Sequence, residues 1–215
     1  MRFRRGWFLP AALLALVPAA LSAQKPIRVG PVIGLNLADV RVSNLDEATD
    51  INRRNGFLFG GFANFEVSRR FAIQPELLYS QQGAEIPVED GISGVVKLDY
   101  IQIPVLAQLR FPSSGAAVPF LIAGPAIGFK ASCKVKADAG AISAEFDCDD
   151  PDEDFIPFKS TDLSGVLGLG VEVSGLTISA RYTHGFSNIN NEAGALEKVR
   201  NRVFSVAVGF GFSLR

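Results

Sequence analysis

The stretch "FAIQPELLYSQQ", Phe71 to Gln82, decides the fold. Taken every second residue it is apolar, through Phe71, Ile73, Pro75, Leu77 and Tyr79. The residues between include Gln74, Glu76, Ser80 and Gln82, with Leu78 among them. Period-two alternation marks a strand with two unlike faces. A carboxylate such as Glu76 is costly in an apolar interior unless it is paired. The fold therefore turns on which face is inside.

The pattern recurs along the chain. Ile33, Leu35 and Leu37 alternate with Gly34 and Asn36, and Phe57, Phe59, Ala63, Phe65 and Val67 with Gly60, Asn64 and Glu66. Ile101, Ile103, Val105, Ala107 and Leu109 alternate with Gln102, Gln108 and Arg110. Leu121, Ala123, Ile127 and Phe129 do so with Gly124, Gly128 and Lys130. Leu163, Leu167, Leu169, Val171 and Val173 face away from Ser164, Gly168 and Glu172. Leu176, Ile178, Ala180 and Tyr182 oppose Thr177, Ser179, Arg181 and Thr183. The last run is the cleanest: Phe204, Val206, Val208, Phe210, Phe212 and Leu214 against Ser205, Ala207, Gly209, Gly211 and Ser213. These are eight strands, with no helix after the leader.

Connections alternate in length. Ser68-Arg69-Arg70, Pro112 to Ala117 and Ser174-Gly175 are short; Arg41 to Asn55, Gly83 to Gly94, Ser132 to Lys159 and Ser187 to Asn201 are long and polar. Short turns at one end and long loops at the other describe an antiparallel up-and-down meander, and closure into a barrel removes its edges. A soluble barrel of lipocalin or avidin type points apolar residues inward around a ligand, whereas a membrane barrel points them at lipid. The outside of a soluble barrel would be rich in Lys and Glu. Here the polar face is Gly, Ser, Asn and Gln around Glu66, Glu76, Arg110, Glu172 and Arg181. The sequence thus predicts an all-β, eight-stranded transmembrane barrel with a polar filled lumen, short periplasmic turns and long surface loops. Glu76 and Gln74 then face the lumen. Tyr79, Tyr100, Phe111, Tyr182 and Phe212 are expected in the interfacial girdles. Pro75, Pro104 and Pro125 fall inside strands of a barrel without edges, and bulges are expected there.

The opening "MRFRRGWFLPAALLALVPAALSAQ" joins a basic segment, a short apolar run and small residues at Ala20 to Ala23. It reads as a signal peptide, residues 1–23, ahead of a barrel domain at 24–215. Removing its three arginines leaves 18 basic against 22 acidic residues, a net charge of −4, which argues against nucleic acid. Cys133 and Cys148 are expected to pair in the oxidising compartment that export implies, with redox catalysis unsupported because they form no C-x-x-C.

Candidate sites are few. The luminal charges Glu66, Glu76, Arg110, Glu172 and Arg181 read as a structural network that plugs the interior. His184, the single histidine, stands three residues from Ser187, which puts the two on opposite strand faces and argues against a hydrolase pair. Asp147, Asp149, Asp150 and Asp152 in "AEFDCDDPDEDF" carry oxygen ligands suited to a divalent cation but match no EF-hand, and a solvated acidic loop is the simpler reading. Gly165, Gly168 and Gly170 in "GVLGLG" lack the following helix of a nucleotide loop and read as luminal packing positions. No cofactor and no catalytic residue is expected.

"GLNLADV", "QPELLYSQQGA", "KLDYIQIPVLAQL", "LIAGPAIGF", "ARYTHGFSNI" and "NRVFSVAVGFGF" together resemble the PorT-like outer-membrane β-barrel proteins over nearly the whole chain after the leader. The resemblance implies an eight-stranded barrel in the outer membrane of a Gram-negative type envelope, with loops at the cell surface. It implies little about activity, although some members are tied to secretion or surface assembly. The expectation for this chain is a non-enzymatic anchoring or secretion-assembly component, with outer-membrane lipids and an envelope or secretion-assembly protein as partners. A departure is the ending "FGFSLR", which lacks a terminal aromatic. The alternatives are a soluble periplasmic barrel around an apolar ligand and a membrane-embedded lipid-modifying enzyme.

Overall fold

The computed structural model describes residues 27–42, 52–87, 92–139, 142–148, 158–189 and 199–214. Strands β1 (Ile27–Val42), β2 (Asn52–Glu66), β3 (Phe71–Pro87), β4 (Ile92–Arg110) and β5 (Ala117–Ala139) form an antiparallel meander. A short β6 (Ile142–Asp147) folds back on the end of β5. The meander resumes with β7 (Thr161–Val173), β8 (Leu176–Gly185) and β9 (Val199–Phe210), and β10 (Phe212–Leu214) continues past Gly211. β1 pairs with β2 on one side and with β9 and β10 on the other. That closes an eight-stranded antiparallel barrel, with no helix among the described residues.

The side chains are arranged inside out. Ile33, Leu35, Phe57, Leu77, Leu167, Leu169 and Phe204 are exposed on the outer wall, while Asn36, Asn64, Gln74, Glu76, Gln108 and Arg181 are buried within. On β9 and β10 the apolar outer row runs from Phe204 to Leu214. Ten steps of about 3.3 Å, tilted at about 45°, give roughly 23 Å, close to the ~25 Å apolar band of a membrane barrel. A continuous apolar wall of this height needs lipid around it. A water-soluble barrel built around an apolar ligand is excluded.

The lumen is not uniformly polar. Leu106, Phe120, Ile122, Ala126 and Val166 form one inward cluster, and Val32, Leu58, Leu78 and Ala207 another. Eight strands leave a bore that side chains fill, so the interior packs as a core does. Tyr100 belongs to this interior: it is 1% exposed, whereas the girdle position expected for it needs an outward ring. Its parity with Gln102 and Leu98 turns it inward, and a register shift falls between Asp99 and Tyr100. Phe111, Tyr182 and Phe212 face outward, and Tyr79 stacks on Phe59 at 5.1 Å.

The strands outrun the membrane. Much of the segment Gly83 to Gly94, expected as loop, is strand, paired from Gly83 with Lys97 to Pro87 with Ser93. β5 likewise continues to Ala139 and pairs with β6, inside the segment expected as a loop from Ser132 to Lys159. At the opposite end, β7 and β8 meet at Ser174 (φ 50°) and Gly175 (φ 89°), the two left-handed residues of a tight hairpin turn.

The prolines introduce no register shift. Pro75 pairs with Val105, Pro104 with Ala126 and Pro125 with Gly165, each in the register of its neighbours. Instead the pairing lapses for two residues nearby: Ala63–Asn64 on β2, Glu76–Leu77 on β3 and Val105–Leu106 on β4. The expected bulges are absent there because omitting a bond leaves every side chain on its proper face, which a one-residue shift would not. The recorded shifts lie elsewhere, between Arg53 and Leu58 and between Asp99 and Tyr100.

Candidate functional site

Near the short-turn end, four charged side chains from different strands converge inside the barrel. Arg110 of β4 pairs with Glu66 of β2, and its other terminal nitrogen lies 3.6 Å from Glu172 of β7. Arg28 of β1 pairs with Glu172 and reaches Glu66 at 3.4 Å. Two cations thus alternate with two anions. One level deeper, Arg181 of β8 meets Glu76 of β3 at 2.6 Å, with the Glu76 side chain fully enclosed. Gln74 donates to Glu76 at 2.7 Å, and Asn64 donates to Gln74 and Gln108 at 2.8 Å each. Buried charges are tolerated where each is paired and hydrogen-bonded in this way.

The structure brings the five expected luminal residues together and adds a sixth, Arg28. It was legible: the inward positions of β1 run back from Asn36 and Val32 to Arg28. A luminal cavity among Leu78, Gln102, Arg181 and Ser205 measures about 20 Å³, room for a single water. Further along the lumen, Asp162 accepts from Ser187 Oγ at 2.7 Å and from Asn201 Nδ2 at 3.0 Å. Tyr100 lies beside them, at 3.4 Å from Asn201. Sequence reasoning missed this inward group, because Ser187 and Asn201 bound a loop whose return path is not written in alternation.

His184 sits on the outer wall, its Nδ1 3.4 Å from the Tyr182 hydroxyl and its ring 5.8 Å from that of Phe186. Ser187 points the other way, to Asp162 and the Leu163 backbone. The two do not meet, as their spacing requires. The glycines divide likewise. A Cβ at Gly170 would strike the luminal Phe120 ring at 2.5 Å, but one at Gly165 would strike Phe186 at 2.7 Å. Gly165 is therefore an outer position beneath an aromatic ring, not a luminal one, since residues three apart on a strand face opposite ways.

Beyond the membrane, Cys133 and Cys148 form a disulfide with Cα atoms 5.4 Å apart, packed on Leu98, Tyr100 and Ile189. Outside it, Glu145 of β6 bridges Lys134 of β5 at 2.8 Å and Lys97 of β4 at 2.7 Å. Hydrogen bonds from these two ammonium groups hold the Glu145 carboxyl down to about 2, and Glu145 in turn raises the Lys134 value. Asp147 pairs across the hairpin with Lys134. Asp149, Asp150 and Asp152 lie outside the described residues, among which no cluster of three His, Cys, Asp or Glu side chains forms a metal site.

An inside-out eight-stranded barrel with a packed, ion-paired interior is an integral outer-membrane β-barrel protein. The chain belongs to the outer membrane protein beta-barrel domain family, whose model matches residues 22–191. Its place is the cell outer membrane. Among solved structures it is similar to Ail, the attachment invasion locus protein of Yersinia pestis, at 15% identity, covering 86% of this chain and 98% of that one, with a TM-score of 0.43. It is also similar to neisserial surface protein A (NspA), at 15% identity, 86% and 97% coverage and a TM-score of 0.47. No curated protein matches.

Proposed function

We propose that the protein is a non-enzymatic surface scaffold whose working part is the sheet extension above the membrane. In this reading the long-loop end faces the cell exterior and engages an envelope or secretion-assembly protein. The observation that carries the reading is the contrast between the two parts of the barrel. The lumen is filled by paired charges and apolar side chains, while β3, β4, β5 and β6 continue outward as a disulfide-tied sheet. A transport or hydrolytic role draws on an open bore or a juxtaposed nucleophile and base; a docking role draws on the extension.

A photo-cross-linker at Val95, on the extended part of β4, tests this in intact cells. It should capture an envelope protein. Replacing residues 133–148 by a short turn should abolish that product while leaving the heat-dependent gel mobility of the barrel intact. Stepwise conductance in planar bilayers, or a cross-link indifferent to the replacement, would sink the proposal.

A further inference from the structure

Where the apolar wall ends at the long-loop end, one side of the barrel changes character within a single step. Across four adjacent strands, Asn55, Leu37, Phe204 and Tyr182 stand side by side on β2, β1, β9 and β8. The next outward row is charged: Arg53 and Asp39, then Arg202 opposite Asp39 and His184 opposite Arg202. Arg53 and Arg202 share the Asp39 carboxylate, each through Nε, at 3.7 Å and 2.9 Å. One carboxylate between two guanidiniums leaves a unit of positive charge. Arg53 is 71% exposed. Arg200, two residues along β9 from Arg202 on the same face, has a buried Nε without a partner among the described residues.

These side chains also border a hollow. An outward-facing cavity of about 450 Å³ is lined by Arg53, Arg202 and Asp39 above and by Leu37, Phe204 and Tyr182 below. Its walls are therefore cationic at the headgroup level and apolar at the level of the chains. Guanidinium forks match the oxygens of a phosphate, and an aromatic ring suits the same boundary. On the β3–β4 side of the wall, Tyr79 closes on Asp99 at 2.6 Å instead.

We propose that this hollow seats the phosphorylated headgroup of an outer-leaflet lipid, with Arg53 and Arg202 clasping the phosphate and Leu37, Phe204 and Tyr182 receiving the chain next to it. Asp39 neutralises one of the two guanidinium charges and so competes with the phosphate for them. The assignment rests on the outward orientation of the long-loop end proposed above and needs no protein partner.

The test is native mass spectrometry of the full folded chain, released from a neutral detergent after equilibration with bis-phosphorylated lipid A or its dephosphorylated form. The wild type should retain one phosphorylated lipid in preference to the other. Arg53→Gln/Arg202→Gln should weaken that retention by at least about tenfold, the loss of two charge-assisted contacts. Arg69→Gln/Arg70→Gln, at the opposite end, should leave it unchanged. Asp39→Asn supplies an independent arm, since removing the competing carboxylate should strengthen retention. Equal retention by the Arg53/Arg202 variant, or of the two lipid forms, overturns the proposal. So does release of the lipid by millimolar inorganic phosphate, which would mark a free-anion site. The heat-dependent gel shift shows that each variant has folded.

Discussion

At the scale of single residues, the molecule is held by charges that have nowhere else to go. Glu76 and Arg181 face each other in an enclosed lumen, so Glu76→Gln leaves a buried guanidinium without its counter-ion. Breaking such a pair costs about 3–5 kcal/mol, whereas replacing both partners by neutral groups of similar size costs much less. Urea titration in micelles, read by gel mobility, should therefore show a large loss for Glu76→Gln and recovery towards wild type for Glu76→Gln/Arg181→Met. A single-variant loss that the double variant does not relieve would mean that packing, not pairing, matters there. The solvent-side charges behave differently. Glu145 is held below its ordinary value of 4.5, to about 2, so its bridge contributes fully above pH 4.5 and is lost as pH falls through about 2. Lys134 is raised above 10.5, so its share is complete below that pH and disappears only in stronger alkali. Protease sensitivity of the β5–β6 hairpin should be flat between these limits, rise in strong acid, and respond to salt because the bridge is exposed. These luminal pairs were legible in sequence because strand parity places each side chain. The partnering of Asp162 with Ser187 and Asn201 was not, since a loop's path has no period.

At the scale of elements, alternation located all eight barrel strands but not their lengths. "GAEIPVEDGISGVV" mixes small, acidic and apolar residues without a sustained period, yet its ends pair because the register set inside the membrane carries β3 and β4 outward. The disulfide acts on this outward part alone. Cys133 and Cys148 enclose a loop of sequence separation 15, worth about 3 kcal/mol in the chain-entropy account. The variant Cys133→Ser/Cys148→Ser should be cut by trypsin between these positions while the barrel keeps its heat-dependent mobility. Loss of the mobility shift would show the bridge to be needed for the barrel itself. The proline-linked lapses make a second element-scale prediction. They fall at three successive interfaces, β2–β3, β3–β4 and β4–β5, whereas the β7–β8 and β8–β9 ladders are continuous. Amide hydrogen exchange taken together over residues 63–64, 76–77 and 105–106 should thus be faster than at Leu169 and Val206. Equal protection would mean that lipid access, not pairing, limits exchange.

At the scale of the whole molecule, one chain meets three surroundings in turn: a packed lumen, a hydrocarbon layer and water. The same β3, β4 and β5 pass from the second to the third still paired, with one register shift between Asp99 and Tyr100. From Phe129, exposed on the outer wall, to Ala139, where β5 ends, is ten residues. At about 3.3 Å a residue and a tilt of about 45°, the sheet rises roughly 23 Å beyond that ring. Flexible loops of equal length would have to be ordered when a partner arrives, at about 0.5–1.5 kcal/mol for each side chain immobilised. A braced sheet has already lost that freedom during folding. If the extension docks a partner as proposed, its tip is a mast of fixed height, and what it touches depends on how far it clears whatever carbohydrate surrounds it. Shortening that carbohydrate would then change its reach as surely as any substitution at the tip.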